Sequence, residues 1–402
     1  MLLIAAGGGG DALASGMVAQ AVGFQPAGIA TFAWERKMFD PLPGPRSPSD
    51  FEGLSHHRPE LWQVGSRSRL RVGKSFLPEV AGAVGCPLYL LDPANGAVGL
   101  VDQLHSLAQH LRVDTSVVVD VGGDILAEGD EPGLRSPLAD SMILASARSL
   151  DNVHLVALGL GLDGELRERE WHRAWREGRR GGWWTSAPLT AKVANASRPH
   201  FWWHPSEVTG LACLAALGYR GHVELRGEGL VTHLTPDSAL VHSLNLQRVY
   251  DRNRVARALR LTQSLEEADS VVRRICGRTE MDVERAVAHR LTRRPETDPM
   301  TFRDLERLES TLAAYCEEAH GRGVQYLTMR RVAEVLDIRG RTFEWFRRYL
   351  RRKRPRQVQP PVFDCLPQGV RGRTTAQHVR HQVIRASADE SPLPFLRFTE
   401  HH

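Results

Sequence analysis

The stretch VVVDVGGDILAEGDEPGLRSPLAD, residues 117–140, concentrates carboxylates behind an apolar run. Asp120, Asp124, Glu128, Asp130, Glu131 and Asp140 fall within 21 residues. Carboxylates at this density repel one another unless a cation, a proton or a basic ligand offsets them. Mg²⁺ or Mn²⁺, a ribose diol or a substrate amine would each serve. Asp120, Asp124, Asp130 and Glu131 are therefore the candidate catalytic residues, with Asp120 and Asp124 as the candidate metal ligands. Gly122 and Gly123 beside them suggest close approach of backbone to a ligand. Arg135 could neutralise part of the cluster or hold a substrate carboxylate, with Ser136 next to it. The plainer alternative is a solvated acidic loop in which Ser136 caps the following helix.

Three further loops have similar chemistry. In LLIAAGGGGDALAS, residues 2–15, an apolar run stops at Gly7, Gly8, Gly9 and Gly10, and Asp11 follows. Backbone N–H groups in such a loop, with a helix N-terminus behind them, can hold an anion. The loop has no G-K-[ST] and is not a G-x-G-x-x-G fingerprint. Asp11 would repel a bare phosphate, so a hydroxyl, an amine or a metal-bridged phosphate suits it better. The alternative is a tight turn with Asp11 as N-cap. LGLGLDGEL, residues 158–166, ends another apolar run in Gly161, Asp163, Gly164 and Glu165. LDPANGAVG, residues 91–99, adds Asn95 and Gly96.

A fifth segment, GGWWTSAPLTAKVANASRPHFWWHP at 181–205, gathers tryptophan and histidine. His200 or His204 could serve as acid–base groups near their ordinary pKa, and Lys192 could contact substrate. A tryptophan-rich core or an oligomer contact is the competing reading. Neither G-x-S-x-G nor H-E-x-x-H occurs, so neither an α/β-hydrolase nor a zincin is supported.

To converge, these loops must lie at one edge of one sheet. LLIAA, AGIATFAW, CPLYLLD, TSVVVDV and NVHLVALGLGL read as strands. DALASGMVAQAV, GLVDQLHSLAQHL and SPLADSMILASARSL read as helices between them, the second with Leu100, Leu104, Leu107 and Leu111 along one face and the third with Pro137 in its first turn. Buried strands alternating with helices imply a mostly parallel sheet covered on both faces. In such a sheet the loops after successive strands gather at the carboxyl edge, where ligands bind. The expected class is α/β, a Rossmann-like mostly parallel sheet with a helical C-terminal subdomain.

Composition agrees with this class. The 42% hydrophobic and 25% charged residues are ordinary for a globular chain. MLLIAA is short for a signal-peptide core, and no apolar run approaches the roughly 18 residues of a membrane span. A cytoplasmic location with no membrane association is expected. Cys86, Cys213, Cys276, Cys316 and Cys365 are scattered and odd in number, which disfavours both a disulfide framework and a cysteine zinc site.

Together GGGGDALAS, VDVGGDILAEGDEPGLRSPLADSMILA, LGLGLDGEL and VHSLNLQRVYDRNRVARALRLTQSLEEAD resemble the domain-of-unknown-function family eleven fifty-two, over roughly residues 1–290. The resemblance implies an α/β fold with a small-molecule site and names no activity. A weaker likeness is to the metal-dependent D-glutamate cyclase group, which also combines Gly-Gly motifs with acidic residues.

The C-terminal part differs in charge. Residues 320–402 hold 17 Arg or Lys against 7 Asp or Glu, so a basic tail follows a mildly acidic body. Only four of the 52 basic residues are lysine, a bias that makes arginine richness alone weak evidence. LTMRRVAEVLDIRGRTFEWFRRYLRRKRPR resembles a helix–turn–helix. It could read a major groove, or it could pack as a helical lid through Phe343, Phe346 and Leu350.

The expected organisation is an α/β ligand-binding domain over 1–290, a basic helical subdomain over 291–360 and a tail over 361–402. The expected function is a metabolic or biosynthetic enzyme binding a nucleotide or amino-acid-like substrate. Group transfer assisted by Mg²⁺ or Mn²⁺ is favoured, with ATP or another nucleotide as a possible cofactor. A ligand-sensing DNA-binding regulator and a non-catalytic partner subunit are the alternatives. A small molecule is the expected partner, with nucleic acid less favoured and a homo-oligomer open.

Overall fold

The computed structural model describes residues 1–35, 39–178, 186–227, 229–292 and 301–366. The chain opens with β1 (Leu2–Ala5), α1 (Gly9–Val22) and β2 (Gly28–Phe32). Short strands β3 (Phe51–Glu52), β4 (Ser55–Arg58), β5 (Leu61–Val64) and β6 (Arg69–Leu70) lead to α2 (Leu77–Ala83). The regular alternation resumes with β7 (Leu88–Leu91), α3 (Gly96–Leu111), β8 (Ser116–Val121), α4 (Pro137–Ala147) and β9 (Val153–Leu158). Next come α5 (Glu168–Gly178), β10 (Ser186–Pro188), α6 (Ala191–Ser197), α7 (Glu207–Ala216), β11 (Gly221–Glu224), β12 (Val231–Leu234) and β13 (Leu240–Leu244). Helices α8 (Leu246–Arg252), α9 (Arg254–Leu259), α10 (Leu265–Cys276), α11 (Glu280–Thr292) and α12 (Phe302–Gly321) follow. The last elements are β14 (Val324–Thr328), α13 (Met329–Val335), α14 (Gly340–Lys353), β15 (Val358–Gln359) and β16 (Val362–Asp364).

Nine strands form the main sheet in the order β10-β13-β9-β8-β1-β2-β7-β5-β4. The central five, β7-β2-β1-β8-β9, are parallel, and antiparallel strands extend both edges. Along the chain these five run third-second-first-fourth-fifth. The order therefore reverses between β1 and β8, and a crevice opens there beyond the carboxyl ends of the strands. The expected α/β class with a mostly parallel sheet is what the chain forms.

Strand alternation explains the layers. On β1, Leu2 and Ile4 face a core shared with α3, α4, α9 and α10. Leu3 and Ala5 face the opposite core, shared with α1, α2, α6 and α7. Every residue of β8 and of α4 is buried, which is why neither shows a polar face in the sequence.

A second sheet, β12-β11-β14-β16-β15, joins strands from both sides of residue 290. β14 lies parallel to β11, and its other edge pairs antiparallel with β16. The cysteines are free thiols, three of them buried and two half-buried. No helix among the described residues is long and apolar enough to cross a membrane. Trp183 and Trp184, and residues 367–402 of the expected tail, lie outside the described residues.

Candidate functional site

The β1–α1 turn forms one wall of the site. Gly8 is the N-cap of α1, so Asp11 is not the N-cap that its position suggests. Asp11 lies in the first turn and reaches back, its Oδ2 accepting the Gly7 N–H at 2.6 Å. Gly8 and Gly10 are required by space. A Cβ on Gly8 would lie 2.8 Å from the Trp34 carbonyl oxygen, and one on Gly10 would lie 2.7 Å from the Ser206 hydroxyl. Helix α1 therefore starts hard against its neighbours. Its first N–H groups have no acceptor within the helix, at the edge of a cavity of about 140 Å³ lined by Gly7–Gly10.

Asp124, Asp140, Asp163 and Glu165 line the same cavity, and the fully buried Asp120 adjoins them outside the lining. Asp120 shares a face of β8 with Val118, and α4 covers that face, so Asp120 meets Asp140 of α4. The turn at Asp124–Leu126 brings in Asp124. One carboxylate oxygen from each of Asp120, Asp124 and Asp140 lies within 4.8 Å of the other two. Both oxygens of Asp120, Oδ1 of Asp140 and Oδ2 of Asp163 are buried without a hydrogen bond of normal geometry among the described residues. The Ile125 N–H approaches Asp120 without reaching that geometry. Orphaned buried carboxylate oxygens are costly, and a hard divalent cation that prefers oxygen ligands would satisfy them.

Electrostatics follow from this packing. Burial, then Asp124, holds the Asp120 carboxyl well above the usual range. Burial and Asp140 do the same to Asp124, and burial and Asp120 to Asp140. Burial and Glu165 raise Asp163 to about 7. Glu35, also on the cavity wall, is raised to about 7 by burial, although it accepts hydrogen bonds from Ser75 Oγ and the Phe76 N–H. Without a bound cation the cluster therefore holds its protons to higher pH than ordinary carboxyls do.

Glu165 anchors the acidic cluster. It accepts the Arg135 and Ser136 N–H groups at 2.6 and 2.8 Å, and the Ser136 hydroxyl at 2.5 Å. Ser136 is the N-cap of α4, but its hydroxyl is spent on Glu165 and, at 3.3 Å, on Asp124. Gly122, at φ +125°, lies where a Cβ would strike Asp163 at 2.5 Å. Gly123, at φ +99°, is left-handed as well.

Two arginines, Arg226 and Arg330, also line the cavity, and both pair with the buried Glu207. His204 also lines the cavity, its buried ring close to Gly9 and Gly10. Its Nδ1 accepts the Ser206 N–H at 3.1 Å, which leaves the proton on Nε2, and that nitrogen is buried without a partner among the described residues. Burial pushes its pKa down to about 3, so the ring is neutral at pH 7 and acts as a hydrogen-bond donor, not as the near-neutral acid–base group expected from its type.

Several sequence candidates stand elsewhere. Asp130 is exposed and pairs with Arg254 at 2.9 Å, while Glu131 accepts the Glu128 and Gly129 N–H groups. Asn95 and Gly96 begin α3, but Thr262 closes that turn, accepting the Ala97 and Val98 N–H groups. The Arg135 guanidinium lies against Gly227, outside the cavity lining. Lys192 is exposed and His200 half-buried, and neither lines the cavity.

Sequence reading missed Glu35, Arg226 and Arg330 and did not assign Asp140 to the metal ligands. Glu35 follows β2 at the same sheet edge as the other loops, so the strand-end rule could have found it. Arg330 lies in the segment read as a helix–turn–helix or a packing lid, which nothing in the sequence ties to the strand-end loops.

No curated protein and no solved structure matches the chain. The likeness to the D-glutamate cyclase group is thus not shown. Residues 2–288 match the model of the family described as "Protein of unknown function (DUF1152)", and the chain belongs to that family.

Proposed function

We propose that the chain is a divalent-cation-dependent enzyme. Its substrate is a small anionic metabolite, nucleotide or amino-acid-like, and its reaction is a group transfer. The observation that carries this reading is the convergence of Asp120, Asp124 and Asp140, with orphaned oxygens on Asp120 and Asp140, beside a cavity that Arg226 and Arg330 also line. Mg²⁺ or Mn²⁺ fits that donor set, and when bound it would neutralise the cluster and polarise substrate oxygens. Arg226 and Arg330 orient the anionic part of the substrate, with the α1 N-terminus favouring the same charge. The His204 Nε2–H donates a hydrogen bond to it. Asp163, with Oδ2 open, is the group best placed to take or give a proton.

The test is a thermal-shift screen of nucleotides and amino acids with and without Mg²⁺ or Mn²⁺. The expected result is stabilisation by the cation, a larger shift with an anionic ligand present, and loss of both in Asp120→Asn. Cation shifts of equal size in the wild type and Asp120→Asn would refute the site.

A further inference from the structure

We propose that the outward face of α14 binds double-stranded DNA. From α12 onward the elements run helix, strand, helix, helix and β-hairpin, the order of a winged helix–turn–helix. β14 pairs antiparallel with β16, and β15 completes the hairpin. Leu312, Val332, Phe343, Phe346, Leu350 and Phe363 share a core distinct from the two cores of the main sheet. α14 therefore stands where the second helix of such a unit reads a groove.

The two faces of α14 differ sharply. Phe343, Phe346 and Leu350 are buried. Arg341, Trp345, Arg348 and Arg352, spaced four, three and four residues apart, are exposed along the other side. Other basic groups of this unit are committed elsewhere. Arg322 and Arg331 pair with Glu224, Arg330 with Glu207 and Arg354 with Glu309, and Arg351 stacks over the Trp202 ring at 4.2 Å. Arg341, Arg348 and Arg352 have no ion-pair partner among the described residues. Three unneutralised guanidiniums on one helical stripe match a phosphate backbone in charge.

The occupant follows from shape as well. An α-helix fits the major groove of B-form DNA, about 12 Å wide, whereas the deep, narrow groove of A-form RNA excludes it. A helix lying on an anionic bilayer needs an apolar stripe beside its basic one, and here that stripe is buried in the core, with Trp345 alone left outside.

The experiment is fluorescence anisotropy of the full chain with a labelled mixed-sequence duplex of about twenty base pairs. Three phosphate contacts predict a log–log salt slope of about −2.7, which is roughly forty-fold weaker binding between about 50 and 200 mM salt. Arg341→Ala/Arg348→Ala/Arg352→Ala should weaken low-salt binding at least about tenfold and flatten the slope. The corresponding triple lysine variant, which keeps the charge, should retain the slope. All three substituted positions are exposed, and an unchanged Mn²⁺-induced thermal shift verifies the fold of each variant. Three outcomes overturn the proposal: no duplex binding at low salt, duplex binding unaffected by the alanine variant, or stronger binding to duplex RNA or phosphatidylserine vesicles than to the DNA.

Discussion

Replacing Asp140 by Asn tests the acidic cluster most directly. At 4.8 Å, the bound within which these oxygens lie, and an effective dielectric of about 20, two ionised carboxylates repel by about 3.5 kcal/mol. Asp140 faces two such partners when all three are charged. The folded protein avoids that cost by retaining protons, since all three carboxyls are held well above their ordinary range. A carboxyl whose folded pKa exceeds its unfolded one contributes stability that is complete below the unfolded pKa, near 3.9, and is lost as pH rises towards the folded one. Each retained proton costs about 1.4 kcal/mol per pH unit over that window. The metal-free wild type should therefore lose stability from pH 5 to 8. Asp140→Asn should be the more stable metal-free protein at pH 7 by roughly 2–4 kcal/mol, a Tm higher by about 3–5 °C for a chain of this length. With Mn²⁺ at about a hundred times its Kd, the wild type should gain about 2.7 kcal/mol and the variant close to nothing. Scanning calorimetry of both proteins at several pH values, with and without Mn²⁺, provides the comparison. If metal-free Asp140→Asn is the less stable protein at pH 8, or responds to Mn²⁺ as the wild type does, the three carboxylates do not form a cation site.

Further outcomes are expected. Glu35→Gln keeps Oε1, which accepts both hydrogen bonds of Glu35. The wild-type pKa is raised from 4.5 to about 7, so stability is lost as pH rises through that range, and the variant should be more stable above pH 7 by up to about 3 kcal/mol. A flat difference between the two proteins across pH 5–8 in urea titrations would contradict that assignment. Arg226→Ala should lose stabilisation by an anionic nucleotide while keeping the Mn²⁺ shift, which isothermal titration of each ligand separates. Gly8→Ala forces a Cβ to within 2.8 Å of a backbone oxygen and should cost about 1–3 kcal/mol in chemical denaturation. Wild-type stability in that variant would mean the turn has slack.

The central strands were legible because β8 and its parallel neighbours are mostly apolar, and α3 between them follows a 3.6-residue period. Asp120 and Asp124 were legible because they sit where a buried strand stops. Asp130 and Glu131 look the same in a string of letters, yet they lie beyond the turn, one in solvent and one holding backbone N–H groups. Spacing along a loop does not encode which way the loop folds back. Asn95 and Gly96 were drawn in by the strand-end rule, but the approach to α10 fills that turn with Thr262, a contact 165 residues away in sequence. Arg226 and Arg330 reach the cavity through pairing of β11 with β14, which no local pattern announces.

The family match stops at residue 288, but the cavity wall does not. Arg330 enters it from the corner where β14 becomes α13, and β14 covers an edge of β11. A fragment cut at the family boundary would keep every glycine and aspartate of the motifs. It would nonetheless carry a raw strand edge, prone to self-association, and a binding pocket short of one cation. Inactivity of such a fragment would say nothing about the intact chain, and a library of family members trimmed to that boundary would be screened with an incomplete pocket wherever this arrangement holds.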